Sequence, residues 1–225
     1  MLSLSTYMLY DLNMTLQTAH SKKPAAKPYH HGDLRRELLN AARELLEESN
    51  IAALSLRQVA RRIGVSHTAP YRHFPDKESL LAGITTVSLE NLTEQVAQAV
   101  QLHPDDPAEQ LKEAGLRYVQ LALDNPQCTQ LMFSGILPCD ETYPELDDAS
   151  GKAFDGLKMM IEQGQSSGAF KQGDVELLAL TAWSCMHGLS MLLISGDLGE
   201  IISMPTEAQT LTSAVIGMLA EGLFK

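Results

Sequence analysis

Apolar residues recur every three or four positions along most of the chain, and no stretch alternates apolar with polar residues as a β-strand does. Leu, Ala, Met and Gln are plentiful, and aromatic residues make up only 5% of the chain, which also favours helices. The pattern predicts an all-α fold of about nine helices. The predicted ranges are 33–48, 56–63, 67–74, 77–101, 108–123, 126–135, 149–168, 174–196 and 205–224.

Helix boundaries are clearest around the second predicted helix. Ser55 and Gln58 have the spacing of a capping box, which predicts a helix start directly after the serine. Gly64 is the natural stop, because the residue there commonly needs a positive φ. The next helix is expected to end before Pro75, and Pro70 falls near its first turn, where a missing N–H matters least. Two short helices joined by a glycine turn, behind an amphipathic first helix, predict a helix-turn-helix.

Charge is distributed unevenly along the sequence. The formal net charge is -11, yet residues 20–80 contain eleven Lys and Arg against seven Asp and Glu, while residues 81–225 contain six against twenty. This asymmetry predicts a basic module on an acidic body. A basic arm containing Lys22, Lys23 and Lys27 precedes the first helix, and it is expected either to follow the minor groove of DNA or to remain a solvated tail.

The basic module has the chemistry of a surface that binds double-stranded DNA. Helix N-termini favour phosphate through free N–H groups and a partial positive charge, so the starts of the second and fourth predicted helices are expected to hold the backbone beside the major groove. The third helix would enter the groove, with Phe74 in the core. Its first turn lacks Arg, Asn and Gln, which predicts modest direct reading of bases and a larger contribution from water and DNA shape. The candidate phosphate contacts are Ser55, Arg57, Tyr71, Arg72, His73 and Lys77, and the candidate base contacts are Ser66, His67 and Thr68.

Other chemistries find little support in the sequence. No phosphate loop, nucleophile motif, paired-carboxylate pattern or metal-ligand spacing is present, so no enzyme activity, cofactor or metal is expected. The cysteines Cys128, Cys139 and Cys185 are expected to be reduced and mostly buried. The first 16 residues superficially resemble a signal peptide, but no Lys or Arg precedes their apolar part and Asp11 interrupts it. A cytoplasmic protein without a membrane span is therefore expected, with Met14 as an alternative start.

The segment GVSHTAPYRHFPDKESLL, residues 64–81, resembles the DNA-binding domain of TetR-family transcriptional regulators. The glycine turn, Tyr-x-x-Phe pair and Lys-Glu helix start of that family are matched here by Gly64, Tyr71, Phe74, Lys77 and Glu78. The stretch YHHGDLR at 29–35 and the Trp, His and Gly at 183, 187 and 188 suggest the subgroup with a C-terminal Trp-His-Gly domain. The resemblance implies a flexible extension over 1–28, a helix-turn-helix domain over 29–81, and a helical effector-binding and dimerisation domain over 82–225.

The resemblance further implies a homodimeric repressor that leaves a palindromic operator when a small effector binds; an activator or a ligand-independent regulator is the alternative. Met-rich and aromatic linings suit an apolar or amphipathic effector, but residues at helical spacing equally form an ordinary bundle core. The candidate pocket residues are Tyr118, Leu121, Met132, Phe133, Met159, Met160, Trp183, Met186 and His187, the last also expected as a satisfied core histidine. The last two helices are expected to form the dimer interface, because the first of them is apolar almost all round. The candidate interface residues are Gly188, Met191, Leu192, Gly217 and Ala220.

Overall fold

A computed structural model describes residues 34–138, 142–196, 198 and 205–223. Within these residues the chain forms eight α-helices, one short 3-10 helix and no β-strand, which confirms the all-α prediction. The helices are α1 (Leu34–Glu48), α2 (Leu56–Ile63), α3 (Lys77–Leu102), α4 (Pro107–Asp124), α5 (Pro126–Met132), α6 (Pro144–Ser166), α7 (Val175–Ser195) and α8 (Pro205–Leu223), with the 3-10 helix at Pro70–Arg72. From Arg35 onward these elements belong to one compact unit.

The caps of α2 are those that the sequence predicts. The Ser55 hydroxyl accepts a hydrogen bond from the backbone N–H of Gln58, which satisfies one of the free donors of the first turn. At the other end, Gly64 adopts a left-handed conformation with φ 74°, which a residue with a Cβ rarely takes. The chain therefore leaves α2 through a sharp turn and passes directly into the segment that carries most of the candidate DNA contacts.

The predicted third helix is not an α-helix. Residues 67–69 form a turn, and only Pro70–Arg72 form a single turn of 3-10 helix. Pro70 has no N–H to donate to the carbonyl of Ser66, so an α-helical ladder cannot continue through the middle of the segment. The Ser66 carbonyl instead accepts from the N–H of Ala69 at 3.0 Å. For this reason the described residues contain eight α-helices rather than about nine.

The long helix α3 joins the helix-turn-helix to the rest of the unit. Asp76 caps its first turn, with the carboxylate accepting from the backbone N–H of Ser79 at 2.7 Å. Its 26 residues, at about 1.5 Å each, give a length of about 39 Å. The early part packs closely on the module, since a Cβ on Gly83 would lie 2.8 Å from Leu39 and 3.1 Å from Phe74, which is buried as predicted. The later part packs against α4 and α6.

Helices α4 to α8 make up the C-terminal part of the unit. Here α6 begins at Pro144, well before the predicted start at residue 149, so the acidic stretch 144–148, which the predicted ranges leave between two helices, is helical. Proline at the first helical position and two acidic residues in the first turn suit a helix N-terminus, because its partial charge is positive. Near the other end of α6, the ring of Phe170 packs directly on Gly164 and is 1% exposed.

Helices α7 and α8 carry apolar side chains that face solvent. Leu177, Leu180 and Leu192 of α7 are 62%, 45% and 45% exposed, and Met218 of α8 is 74% exposed. By length and composition alone α7 could cross a membrane, and 28% of its most apolar window of 18 residues is buried inside the unit. We call this exposed apolar face of the two helices the α7–α8 surface. No described residue of the chain covers it.

Candidate DNA interface and ligand cavity

The three arginines of α2 have different surroundings. Arg62 forms ion pairs with Glu44 and Glu48 of α1. Arg57 and Arg61 are exposed, and neither forms an ion pair with a described residue. The pairing of Arg62 joins α2 to α1, and it leaves the predicted contact Arg57 available to a phosphate near the start of α2.

The segment that follows Gly64 presents its polar side chains to solvent. The Ser66 and Thr68 hydroxyls lie 3.2 Å apart, within hydrogen-bonding distance, so two of the predicted base contacts order each other. Phe74 at the end of the segment is only 2% exposed and anchors it to the core. The exposed predicted contacts are Ser66, His67, Thr68, Tyr71, Arg72 and His73. The structure therefore brings the candidate base contacts and three of the candidate phosphate contacts onto one exposed segment.

Two further predicted phosphate contacts are already bonded within the protein. The Ser55 hydroxyl caps α2, and the Lys77 ammonium donates to the carbonyl of Ala52 at 3.1 Å. At the start of α3, hydrogen bonds from the Ser79 hydroxyl and N–H to the Asp76 carboxylate lower the pKa of that carboxyl. Because a carboxylate already satisfies this helix end, Lys77 is the group there that suits a phosphate.

A cavity of about 390 Å³ lies among α3, α4, α6, α7 and α8, with the end of α5 in its wall. Its lining is mostly aliphatic and aromatic, and its volume is in the range that holds small molecules. The predicted pocket residues that line it are Tyr118, Met132, Phe133, Trp183 and Met186. From α3 the lining includes Thr85, Leu89, Leu92 and Val96. The cavity therefore borders directly on α3, the helix that follows the exposed segment Ser66–His73, which is the candidate DNA-contacting segment.

The other four predicted pocket residues lie outside the cavity lining. Neighbouring residues of a helix point in different directions. On α6, Met159 faces solvent and is 62% exposed, whereas Met160 is 1% exposed and packs in a core cluster with Phe170. Leu121 is half-buried on α4 beyond the lining residues. His187 lies behind the cavity wall, with its ring centroid 4.1 Å from that of Phe133.

A hydrogen bond between two side chains supports this wall. The Tyr118 hydroxyl lies 3.1 Å from Nδ1 of His187, and which of the two atoms donates depends on the imidazole tautomer. Burial raises the pKa of Tyr118 to about 12 and lowers the pKa of His187, so both side chains favour their neutral forms. His187 is thus a satisfied histidine beside the cavity.

Two charged residues that the sequence reasoning missed also line the cavity. Lys112 of α4 pairs with Glu109, one turn earlier on the same helix. Asp147 lies in the first turn of α6. Lys112 shares a face of α4 with Gly115, which also lines the cavity, but the sequence alone does not show that this face borders a cavity. Asp147 gave no signal, because the predicted helices do not include the stretch that contains it.

The candidate dimer residues divide between the outer surface and the interior. Leu192 is exposed, Met191 is half-buried, and a Cβ on Gly188 or Gly217 would meet no atom within 4 Å. Ala220 faces the other way, since it is 4% exposed and lines the cavity. Four of the five residues therefore lie at least partly toward solvent, and Ala220 belongs to the interior face of α8.

Several predictions concern residues outside the described part of the chain. These are the extension over 1–28 with its lysines Lys22, Lys23 and Lys27, and Cys139. Among the described cysteines, Cys128 is buried and Cys185 is half-buried. No group of three His, Cys, Asp or Glu side chains within the described ranges is placed to hold a metal ion.

Comparison with known families matches both parts of the chain. Residues 38–84 match bacterial regulatory proteins of the tetR family, and residues 111–219 match the tetracyclin repressor-like C-terminal domain. Together these ranges span more than half of the sequence. Among curated relatives, an uncharacterized HTH-type transcriptional regulator of Mycobacterium tuberculosis is 24% identical over 186 residues, which cover 81% of this chain and 92% of the relative.

Solved structures extend the likeness to the whole fold. A protein of unknown function from Rhodococcus sp. RHA1 superposes with a TM-score of 0.76 at 30% identity, covering 88% of this chain and all of the other. The transcriptional regulator FadR of Bacillus subtilis, solved in complex with stearoyl-CoA, gives a TM-score of 0.67 at 16% identity over 83% of this chain and 98% of its own, which shows a shared fold. With an exposed helix-turn-helix at one end and a matched C-terminal domain around the cavity, the chain belongs to the tetR family of bacterial DNA-binding transcriptional regulators.

Proposed function

We propose that the protein is a homodimeric repressor that leaves its operator when an apolar or amphipathic small molecule enters the cavity. One observation carries the proposal: a single helix reaches both sites. It begins with Lys77 beside the DNA-contacting segment and lines the cavity from Thr85 to Val96. A ligand that moves α3 therefore changes the spacing of the two DNA-binding modules of a dimer, and DNA weakens ligand binding by the same factor.

In the proposed DNA complex, the exposed turn after α2 enters the major groove. Ser66, His67 and Thr68 meet base edges, and the methyl group of Thr68 suits thymine. Arg57 and Lys77 hold phosphates, which fixes the position of the module without reading the sequence. Since none of the three groove residues is Arg, Asn or Gln, the operator is recognised in part through water and DNA shape.

The lining of the cavity favours a ligand with a large apolar part. Aliphatic and aromatic side chains dominate it, and the two charged residues, Lys112 and Asp147, offer a partner to a polar group on the ligand. FadR of Bacillus subtilis, which has the same fold, was solved with stearoyl-CoA, an amphipathic molecule of this kind. Stearoyl-CoA is therefore the first probe to test, followed by acyl-CoA molecules with longer and shorter chains.

A second copy of the chain is the proposed cover of the α7–α8 surface. Two helix pairs then form a four-helix interface with twofold symmetry, which fits a palindromic operator. The open space beside Gly188 and Gly217 permits close approach of the partner's helices. On this proposal α7 contacts protein rather than a membrane, the protein acts in the cytoplasm, and its function requires no catalysis.

The proposal is tested by recovering bound DNA from cells and titrating the recovered duplex by fluorescence anisotropy. Trp183 is the sole tryptophan of the sequence and lines the cavity, so its emission reports ligand entry. We expect a palindromic operator, quenching of Trp183 by stearoyl-CoA or another apolar probe, and a loss of operator affinity of about 5- to 150-fold on ligand binding. Ligand binding without a change in operator affinity would contradict the release mechanism. In a strain that lacks this protein, higher transcription of the genes beside the operator would indicate repression, and lower transcription would indicate activation.

A further inference from the structure

Two polar contacts of 3.0 Å or less join α1 to the helices that border the cavity, beside a longer one of 3.5 Å from the Arg43 guanidinium to the side-chain oxygen of Asn125. The Glu47 carboxylate accepts hydrogen bonds from the backbone N–H groups of Gln127 and Cys128, at 3.0 and 2.8 Å, in the first turn of α5. The Arg35 guanidinium donates to the Glu145 carboxylate in the first turn of α6 at 2.5 Å. Both contacts connect residues 80 or more positions apart, so they hold the DNA-binding module on the C-terminal part of the unit.

The Glu47 contact is the better protected of the two. A carboxylate at a helix N-terminus meets free N–H donors and the positive end of the helix dipole, and backbone donors cannot rotate away as side chains do. Cys128 is 2% exposed, and burial raises the pKa of its thiol to about 12, so the group beside the carboxylate stays neutral. Arg35 and Glu145 are 47% and 70% exposed, and solvent weakens such a pair.

The short helix α5 leads from Glu47 to the cavity. It has seven residues, about 10 Å of helix, and Met132 at its end lines the cavity together with Phe133. The Phe133 ring lies 5.7 Å from that of Trp183 and 4.1 Å from that of His187, measured between centroids. A ligand that displaces Phe133 therefore acts on one end of a short helix whose other end is bonded to Glu47.

We propose that Glu47 is a positioning residue that transmits cavity occupancy to the DNA-contacting segment through α5. The inference rests on the proposed ligand-responsive function and adds a second route beside α3. Movement of α5 draws α1 with it, and α1 supports the DNA-contacting segment, since the Arg35 guanidinium lies 5.6 Å from the ring centroid of Phe74. By reciprocity, DNA bound to the module changes the surroundings of Trp183.

The test uses operator DNA as its probe and Trp183 emission as its readout. The full-length protein and three variants are saturated with the recovered operator duplex, and anisotropy of labelled DNA verifies binding in each. Glu47→Ala removes both hydrogen bonds, Glu47→Gln keeps one acceptor oxygen, and Glu37→Ala removes an exposed acid of the same helix without touching α5. We expect DNA to shift Trp183 emission in the parent protein and in Glu37→Ala, a smaller shift in Glu47→Gln, and loss of the shift in Glu47→Ala.

The outcomes separate the two proposals. Failure of the parent protein to bind the duplex would overturn the proposed function. Binding with an unchanged Trp183 emission, or an equal shift in Glu47→Ala and the parent protein, would overturn the role of Glu47 while leaving DNA binding intact. Thermal melting of each variant identifies a loss of folding, and if Glu47→Ala does not fold, the comparison of Glu47→Gln with Glu37→Ala decides the result: an equal shift in these two overturns the proposal.

Discussion

Replacing Gly83 by alanine tests the packing of α3 on the DNA-binding module. The new Cβ would lie 2.8 Å from Cδ2 of Leu39 and 3.1 Å from Cε1 of Phe74. These neighbours are 3% and 2% exposed, so neither can move out into solvent. Overpacking of this kind costs about 1–3 kcal/mol, and alanine in place of a helical glycine returns about 1 kcal/mol. The free energy of unfolding is therefore expected to fall by about 0–2 kcal/mol.

Gly151→Ala is the matched control on α6. A Cβ at Gly151 meets no atom within 4 Å, so this variant keeps only the helix gain of about 1 kcal/mol. Urea denaturation of both variants is expected to place Gly83→Ala below Gly151→Ala by about 1–3 kcal/mol in free energy of unfolding. Because a displaced Phe74 shifts the segment it anchors, operator affinity should fall in Gly83→Ala and stay unchanged in the control. Equal stabilisation of the two variants would refute the close packing of α3 on α1.

Three further predictions address single side chains. Lys77→Ala is expected to weaken binding to all DNA sequences alike and to reduce the slope of log affinity against log salt by about one unit. His67→Ala should instead alter base preference in a panel of mutated operators. The same behaviour in both variants would show that the two contacts are wrongly assigned. Because burial lowers the pKa of His187, the unfolded chain binds its proton more readily, and the free energy of unfolding should fall as pH drops below about 6.5. Urea titrations across that pH should show this slope reduced in His187→Gln, and an identical slope would exclude His187 as its source. Burial also holds Cys128 as a protonated thiol. In a chain whose other cysteines are replaced by serine, Cys128 should therefore react with a thiol reagent only after unfolding. Fast labelling of the native protein would contradict its burial.

Local chemistry was enough to predict the start and end of α2. The hydroxyl of Ser55 and the left-handed conformation of Gly64 each act on backbone groups within a few residues, so the sequence alone contains the interaction. The burial of Phe74 was also predicted, because a large aromatic ring gains much from leaving water. The helix-turn-helix prediction depended on these features. They also place the exposed candidate contacts, Ser66 to His73, between α2 and α3.

The parts that depend on distant packing were harder to predict. Pro70 is compatible with a first helical turn, but here it interrupts the hydrogen bonding of the whole segment and leaves a single 3-10 turn. Periodicity identifies the buried stripe of α6, yet it cannot tell whether Met160 meets a cavity or a solid core, because that depends on Phe170 from the following loop. Ala220 shows the same limit on α8, where one apolar helix serves an inner and an outer surface.

The candidate base contacts Ser66, His67 and Thr68 are proposed to read a particular DNA sequence. The most direct test of this proposal is the ratio of affinities, at physiological salt, for the recovered operator and for a scrambled duplex of the same length and composition. We expect a ratio of about 10³ or more, reduced in a chain carrying both His67→Ala and Thr68→Ala. Equal affinity for the two duplexes would contradict it.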